Sequence, residues 1–558
     1  MKKVLFVPVI FMLVLSFGNA QVSVDPNNDF YEAALCWHIR GIVDELPQLK
    51  PYPLRMIKKI IAIVIERGTE DDIAEAKAYY QKIFNKAWSV SLKVNERNLF
   101  QINDTTKELS SIVQLKTAVQ GYGDKLFGDA FALGYRAGAS FTFFELSRDV
   151  LGDTWAAPEY DTFVKRIGTS AANIDFNANA VVSYAWDTVS IAVGYNRTAF
   201  SSFVSGDNAL NSSARNAPQC TFMFNGRWFN FAQYFAALEA ADMHGEGSHF
   251  GKFLSLQTIR FALGRKVRLS LYDAVIYGKR FDPSYFIPVP SLLIAAANGH
   301  NDNVLAGFIF DWNIVRGISW ITNMNVDHLD IPQLARFHIN SDNRIALKSG
   351  FIYAPSNSLC KFISIDYTLI SPYTYAATYD KTNTDTYNFF SYANGGRSIG
   401  SLIPPNSDCV ELKIKLEPIA NLTISTFASI ARHANAYESL SDENAEKLFE
   451  LNKEGTQYSS DGSINTLFFN SAPFLWGAHI MYICRGGIEC SYEFPRTKAG
   501  RFSLEMNFVY TYVNNAGVSK PIYGQSSASD HRNAYDNWVA NLHDEYDVYL
   551  SFGLMYAY

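Results

Sequence analysis

The chain closes with Tyr546-Asp547-Val548-Tyr549-Leu550-Ser551-Phe552-Gly553-Leu554-Met555-Tyr556-Ala557-Tyr558, and the alternation in this stretch decides the fold. In an extended strand, successive side chains point to opposite faces. Val548, Leu550, Phe552, Leu554, Tyr556 and Tyr558 therefore share one face, and Tyr549, Ser551, Gly553, Met555 and Ala557 share the other. An apolar strand that ends on an aromatic leaves an open sheet edge unless another strand pairs with it. Outer-membrane barrels close on such a strand, with the terminal aromatic in an interfacial girdle. The competing reading is the last strand of a soluble β-domain, and the other end of the chain weighs against it.

There, Lys2 and Lys3 precede an apolar run over residues 4–17, and Gly18-Asn19-Ala20 leads to Gln21. A basic segment, an apolar segment and a small-residue site read as a secretory signal peptide, cleaved between Ala20 and Gln21. No Cys follows the site, which argues against a lipoprotein. The run is shorter than the roughly 20 residues a spanning helix needs. The longest later candidate, residues 57–65, is broken by Lys58 and Lys59. A chain that spans a membrane without such a helix spans it with strands.

Composition agrees. Aromatic residues make up 15%, with 32 Tyr and 41 Phe, and charged residues 18%, below the roughly 25% of ordinary soluble domains. The mean hydropathy of −0.05 suits strands that are apolar on one face only. A net charge of −6 gives no basic footprint for nucleic acid.

Residues 27–90 carry helical periodicity. A first helix is expected over 29–45, stopped by Pro47. A second follows Pro51-Tyr52-Pro53, with Leu54, Ile57, Ile60, Ile61 and Val64 on one stripe and Gly68 as its stop. Thr69 reads as the N-cap of a third, with Glu70, Asp71 and Asp72 in its first turn. Its stripe is Ile73, Ala76, Tyr80, Ile83 and Phe84. The acidic pair Asp71-Asp72 is expected to be solvated and favoured by the helix dipole.

From about residue 91 the period becomes two. Ala180, Val182, Tyr184 and Trp186 alternate, then Val189, Ile191, Val193 and Tyr195, with Asp187-Thr188 as the turn. Phe502, Leu504, Met506, Phe508, Tyr510 and Tyr512 alternate with mostly polar residues, Val509 being the exception. Long polar loops are expected at 205–219, 380–397, 436–463 and 513–537. At roughly 26 residues per strand and loop, residues 91–558 hold about 18 strands, an even number. So wide a barrel has a lumen to fill or to conduct through, and the helical head is the candidate plug.

Six cysteines in an exported chain raise the question of disulfides. Cys484 and Cys490 bracket Arg485-Gly486-Gly487-Ile488-Glu489, and a hairpin there makes them a candidate disulfide; the alternative is an unpaired, lipid-facing pair. Cys36, Cys220, Cys360 and Cys409 are isolated and receive no role.

Several phrases resemble the capsule assembly Wzi family of bacterial outer-membrane proteins. Gly41-Ile42-Val43-Asp44-Glu45-Leu46-Pro47, followed by Lys50-Pro51-Tyr52, is similar to the start of that family's N-terminal helical bundle. Leu271-Tyr272-Asp273-Ala274-Val275-Ile276-Tyr277-Gly278 and Tyr285-Phe286-Ile287-Pro288 are similar to its central barrel signature. Asp302-Asn303-Val304-Leu305-Ala306-Gly307, the later Asp327, Ser371-Pro372-Tyr373-Thr374-Tyr375 and residues 399–408 continue the likeness in order. Asp273 stands where Glu is expected, and Pro404 where Gly is expected. The resemblance implies a barrel with a periplasmic helical bundle, long loops at the cell surface and a role in holding or organising surface polysaccharide. The implied surroundings are outer-membrane lipid and the barrel-assembly machinery.

Other chemistry is weakly signalled. His244-Gly245-Glu246-Gly247-Ser248-His249 has the wrong spacing for a helical zinc motif and reads as a loop. Gly121-Tyr122-Gly123-Asp124-Lys125 is not a phosphate-binding loop, and no nucleophile elbow occurs. No catalytic, cofactor or metal residue is assigned. Asp273, Arg280, Asp282, Asp302 and Asp327 are the candidate lumen-facing or ligand-facing polar residues, with structural ion pairs as the plainer alternative. The expectation is a non-enzymatic outer-membrane barrel for polysaccharide, and the alternative is a porin.

Overall fold

A computed structural model describes residues 22–84, 88–103, 109–144, 165–169, 171–242, 249–300, 302–328, 343–356, 359–378, 387–436, 438, 465–466, 474–495, 497, 500–520, 522 and 531–558. The signal peptide with Ala20 and Gln21, residues 244–248 of the histidine-flanked loop, and nearly all of loop 436–463 lie outside the described residues.

Eighteen antiparallel strands form a closed barrel. They are β1 (Ser89–Asn103), β2 (Leu109–Phe127), β3 (Phe131–Phe143), β4 (Ala172–Ala185), β5 (Val189–Asn196), β6 (Ala217–Asn225), β7 (Phe229–Asp242), β8 (His249–Leu263) and β9 (Val267–Gly278). The rest are β10 (Asn303–Val315), β11 (Ile318–His328), β12 (Arg344–Tyr353), β13 (Cys360–Ile370), β14 (Ser407–Ile419), β15 (Leu422–Ala434), β16 (Ile480–Glu493), β17 (Arg501–Ala516) and β18 (His543–Ala557). The terminal strand closes the ring: β18 pairs with β1 from Ala557 opposite Ser91 to Glu545 opposite Asn103. Closure removes the open edge that hydrocarbon would not tolerate.

Parity sorts the side chains as the alternation requires. On β18, Phe552, Leu554 and Tyr558 are exposed on the outer wall, while Asp547, Tyr549 and Ala557 are buried inside. Val509, the exception on β17, faces inward and packs with Leu99, Tyr549 and Phe427. Exposed aromatics such as Phe131, Trp186, Trp228 and Phe502 border one rim of the outer wall. At that rim the strands are joined by short turns, from two residues (316–317) to seven (494–500). At the opposite rim lie the long connections, including 197–216, 279–302 and 371–406.

Three helices precede the barrel: α1 (Asp29–Ile39), α2 (Leu54–Arg67) and α3 (Glu70–Phe84). The first ends well before Pro47, because Gly41 takes a positive φ of 70° and turns the chain. On α2 the buried residues include the expected Leu54, Ile57, Ile60, Ile61 and Val64. At the start of α3, Thr69 and Asp72 cap reciprocally: Thr69 N donates to Asp72 Oδ2 at 3.0 Å, and Asp72 N to Thr69 Oγ1 at 3.4 Å. Asp72 is not solvated. It is buried and bonds Arg40 Nη1 at 2.7 Å. Edge-to-face contacts among Phe30, Tyr31, Trp37, Tyr52 and Tyr79 knit the head together.

The hairpin expected around Gly486-Gly487 does not form. Cys484 and Cys490 lie on the single strand β16, opposite Tyr512 and Met506 of β17, and both are free. Six residues of extended chain hold them roughly 20 Å apart, far beyond the reach of a disulfide. The paired glycines sit mid-strand because Phe427 occupies the space a Cβ on Gly487 would need.

Candidate functional site: the occupied lumen

The head sits at the turn end of the barrel and is held by charge. Arg55 donates to Asp129 O at 3.0 Å and pairs with Asp187 at 2.6 Å, both in turns of that rim. Gly317 N donates to Ile39 O at 3.1 Å. Glu32 bonds Lys413 Nζ at 3.1 Å and Lys415 Nζ at 2.6 Å on β14. Burial alone would raise the Glu32 carboxyl, but the two ammonium groups outweigh it and hold the group at about 2. Lys361 bridges Glu75 of α3 and Glu417 of β14 at 3.2 and 2.6 Å.

Residues 42–50 continue from the head into the lumen. Arg268 donates to Asp44 O at 2.6 Å and to Glu45 Oε1 at 3.0 Å, and Arg260 donates to Leu46 O at 3.2 Å. The segment then meets a loop arriving from the opposite rim. Leu49 pairs with Phe200, and Ser201 Oγ donates to Pro47 O at 2.7 Å. Residues 371–378 and 387–406 of another long connection pack on this junction, with Tyr375 Oη donating to Asn208 O at 2.6 Å and Tyr392 Oη to Ala209 O at 2.7 Å. Loops that read as polar surface connections therefore fold inward and bury Phe200, Phe203, Leu210, Tyr375 and Tyr392 against the inner faces of β7, β8 and β9. Burial pulls the Lys50 ammonium down to about 8 and pushes the Asp207 carboxyl up to about 6. The lumen is crossed by a continuous column of protein.

That column leans on one side of the wall. Across the lumen, from β14 through β18 to β4, the inner face mixes polar groups with the apolar cluster around Val509, and Lys93, Glu505 and Arg136 are partly accessible. Lys93 pairs there with Glu505 at 2.7 Å, Arg97 Nη1 donates to Gln114 at 3.1 Å, and Arg136 Nε donates to Gln120 at 3.2 Å. Above this side, at the long-loop rim, Glu438 accepts from His479 Nδ1 at 2.7 Å and from Ala478 N at 3.2 Å. His479 and Tyr535 both contact the Trp538 ring, on α4 (His531–Ala540) in the case of Tyr535 and Trp538. Trp476, three residues before His479 in sequence, is 63% exposed. Sequence reasoning missed the cluster, because Glu438, His479 and Tyr535 are tens of residues apart and share no motif.

The five polar candidates divide. Asp327 does face the lumen, where it accepts from Tyr375 N at 3.1 Å and anchors loop 371–406. Asp273 does not. Tyr272, Ala274 and Ile276 of β9 point into the lumenal core, so parity turns Asp273 to the outer wall, where its carboxylate accepts from Leu292 N at 2.7 Å. Arg280, Asp282 and Asp302 gather at the base of loop 279–302: Arg280 pairs with Asp302, and Tyr285 Oη donates to Asp302 at 2.6 Å. Asn298 Nδ2 donates to Asp282 at 3.0 Å. Asp273 holds this external loop from β9, the other three belong to the loop, and none of the four lines the lumen.

A barrel of eighteen strands with an N-terminal helical head has a solved counterpart. Wzi of Escherichia coli, described as an outer-membrane protein involved in group 1 capsule assembly and a carbohydrate-binding β-barrel, superposes over 95% of this chain and 98% of its own. The TM-score is 0.55 and the identity 12%. The chain has the Wzi fold. OccAB3 and OccAB2 of Acinetobacter baumannii also match, at TM-scores of 0.39 and 0.40 and 8% identity, covering 84% and 83% of this chain and 99% and 97% of theirs. Likeness at that level bears on neither barrel detail nor role. No protein-family model and no curated protein matches the sequence. At 95% of the chain the likeness takes in head and barrel together, and it shows the fold of both.

Proposed function

We propose that the protein is a non-enzymatic outer-membrane barrel that binds or organises surface polysaccharide, with the helical head in the periplasm and the long loops at the cell surface. The observation that carries this reading is the column formed by residues 42–50, 197–216, 371–378 and 387–406, which enters the lumen from both ends. A barrel so occupied has its working surface at the long-loop rim. Trp476, exposed three residues before His479, offers an aromatic face of the kind that packs against the C–H face of a sugar ring. Binding of a labelled surface polysaccharide to the protein in liposomes tests the reading, and absence of binding to glycans from the native envelope defeats it.

The partly accessible Lys93, Glu505 and Arg136 on the wall from β14 to β4 favour a second reading, a narrow diffusion path for small solutes. Planar-bilayer recording separates the two, since a large steady conductance belongs to a porin.

A further inference from the structure

Loop 279–302 does not rise from the rim. It folds back over the outer wall of β7, β8 and β9, the surface that elsewhere on the barrel faces lipid. Near the turn end this wall is exposed and apolar, with Phe229, Phe261, Leu263 and Leu271 between 39% and 60% accessible. Further along the same strands the outward residues include Gln233, Ser255, Gln257 and Asp273, all buried beneath the loop beside Phe235, Phe253, Val275 and Tyr277. Each of these polar side chains is satisfied by the loop backbone. Gln233 Nε2 and Ser255 Oγ donate to Tyr285 O at 2.8 and 3.0 Å, Gln257 Nε2 donates to Ile287 O at 2.9 Å, and Asp273 accepts from Leu292 N at 2.7 Å.

Depth follows from register. Gln257 and Asp273 are partners across β8 and β9, six residues from the turn-end residues Leu263 and Val267. At roughly 2.3 Å of height per tilted residue this is about 14 Å, near the middle of an apolar band about 25 Å tall. The loop tip therefore reaches the bilayer's middle.

Its free surface suits that depth. Phe281, Phe286, Ile287, Val289, Leu292 and Leu293 are exposed, Leu293 at 55%. The backbone suits it too, because hydrocarbon offers no partner for an N–H group. The Ile287 N–H reaches Ser284 O, the Val289 N–H reaches Ile287 O, and the Leu293 and Ile294 N–H groups reach Pro290 O. Pro288 and Pro290 have no N–H to satisfy. The charged groups Arg280, Asp282 and Asp302 stay at the base of the loop, by the rim.

We infer that loop 279–302 is a lipid-embedded lobe whose exposed face contacts the acyl chains of the leaflet on the long-loop side. The apolar face is continuous with the barrel's lipid-facing wall, and the polar strand residues beneath it are tolerable at that depth only because the lobe covers them. The inference requires that the barrel spans a bilayer and does not depend on the polysaccharide reading.

A genetically encoded fluorescent residue at 293, excited outside the range of the nine tryptophans, tests it in the full-length protein in liposomes. Quenching by phospholipids brominated mid-chain, with protection from aqueous acrylamide, is the expected result. The same residue at Leu402, exposed on loop 371–406, should show the reverse. Quenching of the 293 probe by acrylamide overturns the inference. So does protection from both quenchers, the result if a second copy of the chain covers this face. A probe at 287 repeats the measurement should the 293 variant fail to assemble.

Discussion

The Glu32 carboxylate of the head bonds Lys415 Nζ of the barrel wall at 2.6 Å, across 383 residues of chain. Glu32 is held near pH 2 in the folded protein against an ordinary 4.5. A depressed carboxyl contributes stability that is present above its unfolded value and lost as pH falls through its folded value. Docking of the head should therefore weaken progressively from about pH 4.5 to pH 2. The pair is partly solvated, so the contribution is about 1–3 kcal/mol. Limited proteolysis of the head as a function of pH measures it, and Glu32→Gln should show greater cleavage already at pH 7 with a flatter acid limb. An unchanged profile in the variant would show that the head is held by its other contacts.

Removing residues 546–558 should abolish barrel assembly. The truncation leaves β1 and β17 as unpaired edges, and each unsatisfied backbone group in hydrocarbon costs several kcal/mol. It also removes the contact from Ser89 Oγ to Tyr558 O at 2.8 Å. Heat-modifiable, membrane-embedded truncated protein at normal levels would contradict the prediction.

Non-reduced peptide mapping should find no bond between Cys484 and Cys490, since both point outward from one strand. Cys→Ser replacement at both positions should leave the mobility of the non-reduced folded protein unchanged. A linked 484–490 peptide would require β16 to be broken at its glycines.

These corrections show where the chain is legible and where it is not. Strand count and closure were readable because an outward wall in lipid forces alternation, as from Val548 to Tyr558. Alternation gives parity but not which parity faces out. Around Asp273 both parities are apolar, since Tyr272, Ala274 and Ile276 pack on the lumenal column while Val275 and Tyr277 pack under loop 279–302. On this side of the barrel the lumenal column erases the polarity difference that would have decided it. Gly486-Gly487 misled for a related reason, because glycine marks a turn or a close approach, and here Phe427 makes the approach. The short helix Ser291–Asn298 was signalled by Pro290 before it and Gly299 after it, a pattern the reading passed over.

Trp476→Ala should weaken polysaccharide binding by roughly two- to tenfold, the equivalent of about 0.5–1.5 kcal/mol for an aromatic contact. The ring is exposed, so heat-modifiability should be unchanged. Equal binding by the variant would move the glycan site elsewhere on the long-loop rim.

Deleting residues 27–84 should leave the barrel able to insert, because β1 and β18 and their pairing are untouched. The deletion removes Leu49 from its pairing with Phe200, together with the carbonyls that Ser201, Arg260 and Arg268 bond. Loop 197–216 would keep its contacts to Tyr375 and Tyr392 but lose its floor. Conductance in planar bilayers should therefore rise markedly over that of the full protein, and most in the polar half of the lumen, which the column does not fill. Restoring residues 42–50 as a fused segment should lower it only in part, because the ion pairs of Glu32 and Glu75 with the barrel would still be missing. A headless barrel that conducts no better than the intact protein would mean that the inward loops alone seal the lumen. The head's ion-paired seat would then serve a periplasmic partner in place of the seal.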